Sequence, residues 1–402
     1  MQLDTLAVDA DAGVVFAVWR GVTEVASEKL TDIERLFVMD EPLAARTTVA
    51  GCGARMEALL AAEAADDNGF APVAVPGIDP GIDPGAGPST AAPAVTPPAV
   101  PRAEIAERLQ RGEGFAGEDL SGADLSGMDL AGRDLAGAIL AGAVLEGASL
   151  AGASMAGAML AGAVLRGAVL RGAVLTNADM TGVSAAGAVL DGAVLDGAVL
   201  VGAALAGAKL KGASLRGAEL TQADLTGADL REARLDKADL TGATLDGADF
   251  TRASLVDATL EGVSAARVTM DECDLTKLRA SDGARFPDGS FRNARAKGSR
   301  WGGAVLDRAV FLFADLERAD FSAASLVGAS LGGCTLRGAR FQEARMSGAS
   351  LLKADAMEAN FEAADLSQAD LRGANLFGAQ LWRAHTAGAR FEQANLTRTR
   401  LA

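Results

Sequence analysis

The sequence predicts an all-β fold, a solenoid of short stacked coils, and three observations carry that prediction. Large apolar residues recur at every fifth position. From Leu120 to Ala280, 30 of 33 such centres are Leu, Met or Phe, the exceptions being Ala185, Ala265 and Ala280. From Phe286 to Leu401, one residue out of the earlier register, 21 of 24 are Leu, Phe, Met or Trp. Alanine stands two places before the centre in 25 of the first 33 units and 20 of the last 24. Finally, Trp301, Phe321, Phe341 and Phe361 recur at every fourth centre.

A period of five fits neither common element. Helices bring residues three and four apart onto one face, and strands bring alternate residues together. On a helix, successive centres would turn by about 140° and smear round the cylinder. The pattern resolves if each pentapeptide is one side of a coil that then turns a corner, with the centre and the alanine pointing inward. One unit cannot bury its own apolar face, so only stacking completes the core. The spacing of the aromatics gives four units per coil, which places those four side chains directly above one another. Phe291, Phe311, Leu331, Leu351, Leu371 and Phe391 form a second ladder. Fifty-seven units then make about 14 coils, roughly 65–70 Å long at the inter-strand spacing. Glycine at the corners supplies the backbone freedom for sharp turns.

Each segment follows from its composition. Residues 1–68 form a small β-rich leader in which LDTLAVD and VVFAVWRGVTEV flank the turn DADAG as a β-hairpin. Glu28–Met39 has strand or short-helix character, and Ala54–Ala65 has helical character. Residues 69–101, with a tandem PGID, hold too little apolar surface to fold and read as a semi-extended linker. Residues 102–114 place Ile105 and Leu109 on one face of a short helix, suited to covering the open first coil. The solenoid follows in two registers, 115–280 and 281–402.

Runs such as GADLSGMDL and TQADLTGADL resemble the pentapeptide-repeat proteins, whose motif is A(D/N)LxX. The resemblance covers roughly residues 115–402 and implies a right-handed quadrilateral parallel β-helix. Between Ala136 and Ala208 the Asp/Asn before the centre gives way to residues such as Ile139, Val144, Val164, Val169 and Val189. β-branched side chains suit a strand-like site, so the coil is expected to continue there, ringed by an apolar belt. The leader segment LDTLAVDADAGVVFAVWRG resembles the end of an uncharacterised domain from bacterial type VI secretion gene clusters. The match is confined to the leader, which implies a truncated or split version.

Composition narrows the function. Zero Tyr and 48 Gly suit a stacked coil better than a globular core. Gly147–Leu165 carries no charge, but the five-residue beat runs through it, so it is not a membrane span. With no basic n-region or apolar h-region after Met1, no secretory signal is visible, and a cytoplasmic location is expected. Three cysteines argue against a disulfide scaffold: Cys273 and Cys334 take the small inward position, and Cys52 stands alone in AGCGAR. The single histidine, His385, falls outward, and the acidic residues sit at outward positions that read as solvated. No catalytic, metal or cofactor-binding residues are expected, and no phosphate-binding glycine motif is present.

Two surfaces stand out. Arg285, Arg292, Arg295, Lys297 and Arg300 cluster at the register break as a candidate partner or anion contact. Met357, Phe377, Trp382 and Leu401 mark a candidate dimer end, where a final coil would leave backbone groups unpaired. The preferred function is a non-enzymatic interaction scaffold, an adaptor for a secretion spike or effector component. The alternative implied by the family is a DNA mimic that binds a type II topoisomerase (gyrase). Against it, residues 115–280 net −9 and residues 281–402 net +3, so the solenoid nets only −6. Direct nucleic-acid binding is not expected, because the aromatics of the basic end point inward.

Overall fold

The computed structural model describes the backbone of residues 2–9, 14–20 and 40–42, together with residues 100–281 and 283–400. Two compact units divide the chain, Met1–Ala91 and Ala92–Ala402. In the first, strands β1 (Gln2–Asp9) and β2 (Val14–Arg20) pair antiparallel from Gln2↔Arg20 to Asp9↔Val14, with a register shift between Leu3 and Thr5. A third strand, β3 (Asp40–Pro42), joins the other edge of β2. Cys52, the stretches Glu28–Met39 and Ala54–Ala65, and nearly all of the linker lie outside the described residues.

The second unit is the right-handed quadrilateral β-helix. Four columns of parallel bridges climb it, one per side, and each bridge joins a residue to its counterpart one coil up, as Asp119↔Ile139. The first side runs from Asp119 through Ile139 to Arg400, the second from Asp124 to His385. The third runs from Asp129 to Arg390, and the fourth from Asp134 to Asn395. The uncharged stretch Gly147–Leu165 continues these columns as ordinary coil.

The repeat satisfies its own backbone. Leu120 N–H donates to Ile139 O of the next coil (2.7 Å), and Ile139 N–H donates back to Glu118 O (2.8 Å). At the corner, Gly122 N–H reaches Ala141 O (2.9 Å), while Ala123 N–H closes a tight turn on Leu120 O (3.0 Å). Left-handed φ at the second corner residue alone, 64° at Gly122, is the signature of a type II turn and accounts for the glycine. One amide per unit remains, that of the first corner residue. Asp119 takes it: its Oδ1 accepts from Ser121 N–H (2.9 Å) and Ser121 Oγ–H (2.6 Å). Asp239 with Thr241 and Asp320 with Ser322 repeat the arrangement. Where the residue before the centre is not acidic, an aspartate one coil below can substitute, as when Asp196 accepts from Arg216 N–H (3.0 Å) and Asp307 from Val327 N–H (3.1 Å). The expectation that outward acids are merely solvated is therefore corrected. Many of them complete the backbone accounting that a buried or half-buried chain requires.

The interior is a single hydrophobic cluster of centres and alanines. Trp301, Phe321, Phe341 and Phe361 do stack in line, with ring centroids 6.0, 5.1 and 5.0 Å apart and planes within 5°. Phe291 and Phe311 stack on the third side (4.6 Å) and meet the first ladder edge-on. Two of the sequence exceptions now have a cause. Ala280 lies one coil below Trp301, and Ala265 one coil below Phe286, so small residues leave room for large ones. The Trp301 indole N–H is buried and donates to Ser299 Oγ (2.7 Å), which donates in turn to Ala296 O (2.6 Å).

The register break is a single-residue insertion confined to one corner. Bridges that span it join residues one position further apart than elsewhere, as Ser264↔Arg285 and Arg279↔Arg300, and all four columns continue without a gap. Gly283 takes φ 86° there, and Ala284 N–H closes on Ser281 O (3.3 Å).

Below the first coil sits helix α1 (Arg102–Gln110), whose Ile105 is fully buried in the solenoid core. On the fourth side of the first coil, Phe115 N–H and Gly117 N–H donate to Asp134 O and Ala136 O from below, but its second side has no lower strand. Arg102 replaces it, donating to Asp124 O (2.9 Å) and Ser126 O (2.7 Å). In the other direction, Arg133 donates to Gly112 O (2.9 Å) and Leu109 O (3.3 Å), capping the helix C-terminus with a cation. Arg108 lies over the Phe115 ring (4.5 Å) and ties Glu113 and Glu118 together.

Candidate interaction surfaces

With two inward positions per unit committed to the core, only three face outward: the residue before the centre and the two corner residues. What the sides of the coils present to another molecule is displayed there, on a backbone bridged from coil to coil.

The five cations of the register break are all exposed, and they ring one coil without sharing one face. Arg292, Arg295 and Lys297 occupy the fourth side and its two corners, while Arg285 stands on the second side and Arg300 on the first. The three that come together each face an acid. Arg292 is 3.7 Å from Asp271, Arg295 is 2.9 Å from Asp274, and Lys297 is 2.8 Å from Glu317. Exposed pairs of this kind contribute little to stability, about 0–1 kcal/mol. They do lower the net field, so the five candidate contact residues form a girdle in which Arg292, Arg295 and Lys297 are paired with acids.

At the far end, Met357 and Phe377 share the corner between the fourth and first sides, one coil apart and half-buried. Trp382 belongs to the next corner, across the first side, and is 43% exposed. Arginines cover both rings: Arg398 lies over Phe377 (5.4 Å) and Arg383 over Trp382 (4.0 Å). Leu401 lies outside the described residues. The amides of Thr386, Phe391 and Leu396, which in lower coils donate upward, have no partner among the described residues. Leu396 is 40% exposed.

The chemistry-bearing side chains follow the repeat. His385 stands exposed on the second side. Cys273 and Cys334 are buried, their thiols donating to Phe250 O (2.8 Å) and Phe311 O (2.7 Å), and burial pushes both thiol pKa values up to about 12. Such thiols are inert beside an exposed one. Among the described residues, no group of three or more His, Cys, Asp or Glu could hold a metal ion, and no helix is long and apolar enough to cross a membrane.

Sequence reasoning missed one feature. Phe313 is 68% exposed and adopts φ 60° at a second corner position. Its signal was the interruption of the corner pattern, Leu312–Phe313 where Gly or a polar residue usually stands.

Comparison with solved structures finds pentapeptide-repeat proteins among those similar to this chain. The heterocyst-differentiation regulator HetL, a pentapeptide-repeat protein from the cyanobacterium Nostoc, is 26% identical over 75% of this chain and 96% of its own, with a TM-score of 0.20. A pentapeptide-repeat protein of the Arabidopsis thaliana thylakoid lumen is 36% identical over 28% of this chain and 77% of its own (TM-score 0.21). The plasmid-mediated fluoroquinolone resistance protein QnrB1 is 21% identical over 51% of this chain and 89% of its own (TM-score 0.25). No curated protein matches the chain. The family model for pentapeptide repeats matches residues 119–252 and 290–402, more than half of the sequence, and the chain belongs to the pentapeptide-repeat family.

Proposed function

We propose that this chain is a non-enzymatic protein-interaction scaffold that displays side chains at fixed spacing for partner proteins. One observation carries the reading. The bridges run without a gap from Asp119 to Arg400, across the register break, so the outward positions form one rigid array. Rigid display suits partner recognition, because little conformational entropy is lost when the complex forms.

The finer proposal is an adaptor for a secretion spike or effector component, acting in the cytoplasm. It rests on the leader's resemblance alone. A second copy meeting the coil around Met357, Phe377 and Trp382 is a further proposed contact. Affinity capture with the full-length protein, from a bacterium expressing a type VI secretion cluster, tests the adaptor role. Specific recovery of a spike or effector component is the expected result, and recovery of none counts against it. DNA mimicry has weaker support. Acids and bases are interspersed on the surface, as in the pairs Arg231–Asp229 and Arg252–Glu272, and residues 281–402 are net positive. Unchanged DNA supercoiling by gyrase at micromolar protein removes it.

A further inference from the structure

We infer that the corner between the third and fourth sides, around Phe313, is a docking edge for an extended segment of a partner protein bearing an apolar side chain next to a carboxylate. The inference rests on the scaffold reading above and names the edge that serves it.

Phe313 is the starting point. Twenty-three non-glycine residues adopt left-handed φ among the described residues, and every other one is Asn, Asp, Gln, Glu, Lys, Arg or Ala. A bulky aromatic in that conformation is strained, and such strain persists where function holds it. The ring gains little burial in exchange, since 68% of the residue remains exposed.

The neighbouring coil is shaped to receive it. The next unit up the same corner is Gly332–Gly333. A Cβ on Gly333 would sit 2.6 Å from Phe313 Cδ1, and one on Gly332 would sit 3.2 Å from Leu312 Cδ2. The two apolar side chains therefore lie flat across a step that has no side chains of its own. One coil further, Leu352 is 39% exposed. Leu312, Phe313 and Leu352 thus form an apolar strip over three coils.

Charge defines what covers it. Leu352 also borders an open cleft of roughly 380 Å³ lined by Lys353, Arg372, Gly373, Arg390, Glu392 and Gln393. Arg372 is held in place by a two-point contact with Asp370 (2.8 and 2.6 Å), and Arg390 is 3.5 Å from Glu392. Lys353 is exposed and makes no ion pair among the described residues. A carboxylate entering beside Lys353 would find an unmatched cation, with the apolar strip directly below for its neighbour. From Phe313 to Gln393 the corner climbs four coils, about 19 Å, the span of about six extended residues. Scattered exposed leucines are ordinary on protein surfaces. Here a strained aromatic, a side-chain-free step and a cationic cleft are contiguous.

The test selects peptides from a displayed library of random dodecamers on the full-length protein, with counter-selection on Phe313→Asn. Asparagine tolerates left-handed φ, so this variant is expected to fold with an unchanged or higher melting temperature. The expected outcome is enrichment of peptides carrying Asp or Glu beside Leu, Ile, Phe or Trp, whose affinity falls at least tenfold on Phe313→Asn and on Lys353→Glu. Failure to enrich, or enriched peptides that lack acids or ignore both substitutions, overturns the inference. Light scattering supplies the other arm: a wild-type dimer that Phe313→Asn dissociates makes the occupant a second copy, and likewise overturns it. If a natural partner is captured equally well by Phe313→Asn, the scaffold reading stands and this edge fails.

Discussion

Ser299→Ala isolates one buried polar contact in an otherwise apolar core. Ser299 takes the place that alanine holds in most units, and it is fully buried. Its hydroxyl accepts the Trp301 indole N–H at 2.7 Å, in an interior where Phe286, Phe291 and Phe311 meet the indole edge-on. Alanine removes the acceptor and leaves that N–H unpaired, at a cost of about 1–3 kcal/mol. The Ala296 carbonyl is not orphaned, because Ser299 N–H also donates to it (3.2 Å), so the indole dominates the penalty.

The effect should be local, because stability in a solenoid is close to a sum of neighbouring-coil terms. Hydrogen exchange at the amides that join these coils is the assay: Trp301 N–H to Asp320 O (2.6 Å) and Asp320 N–H to Ser299 O (2.9 Å). A loss of about 1–3 kcal/mol corresponds to roughly 5- to 150-fold faster exchange through local opening. In a Trp301→Phe background there is no indole N–H to satisfy, so Ser299→Ala should be neutral or slightly stabilising. A double-mutant cycle separates the pair term from any general effect of the substitution. Equal penalties in both backgrounds would refute the reasoning, as would exchange unchanged in the Trp301 protein.

Phe341→Ala, between Phe321 and Phe361, should cost in the upper part of the usual range of about 3–5 kcal/mol, because it opens a cavity and ends two stacks; Phe341→Leu should cost clearly less, both read from denaturant unfolding. Arg372 hydrogen-bonds Asp370 and holds its carboxyl down to about 2, and serine contacts depress Asp119, Asp124 and Asp365. These folded-state values lie below the unfolded one, so their stabilisation is complete above about pH 5 and is lost as pH falls through the folded values; melting temperature should be flat above pH 5 and decline toward pH 2, and a profile flat throughout contradicts this. Arg102→Met should raise exchange at amides of the first two coils, including Leu120 and Gly122, while leaving the aromatic coils unchanged.

The fold was legible because its determinants are periodic. Inward positions 120, 125 and 130 announce themselves by repetition, and the recurrence of aromatics at every fourth centre was enough to set four units per coil. The register break was visible as a one-residue slip, yet its harmlessness was not, since only the bridges show that all four columns continue across it. The candidate surface was harder to read. Outwardness could be assigned from the repeat, and Arg285 to Arg300 do all point out. Which side each occupies follows from the coil, but Asp271, Asp274 and Glu317 lie a full coil away from their partners, and that pairing carries no local signal. The aspartates misled for a related reason. A carboxylate that accepts its neighbour's amide looks, in sequence, like any solvated acid.

The same periodicity shows where function can reside. Of three outward positions, the second corner residue is restricted by its left-handed φ, and the residue before the centre is held in the bridge column, often with its side chain committed to a corner amide. A glycine or aspartate at these places needs no function to explain it. The informative residues are those that oppose the local rule without repairing the backbone or filling the core. Ser299 opposes the alanine rule but serves Trp301, and Ala280 opposes the leucine rule but makes room for the same ring. Arg133 opposes the alanine rule and caps α1. Phe313 opposes the corner rule, neither pairs a backbone group nor fills the core, and stays 68% exposed, which directs attention outward to the edge it shares with Leu352 and Lys353.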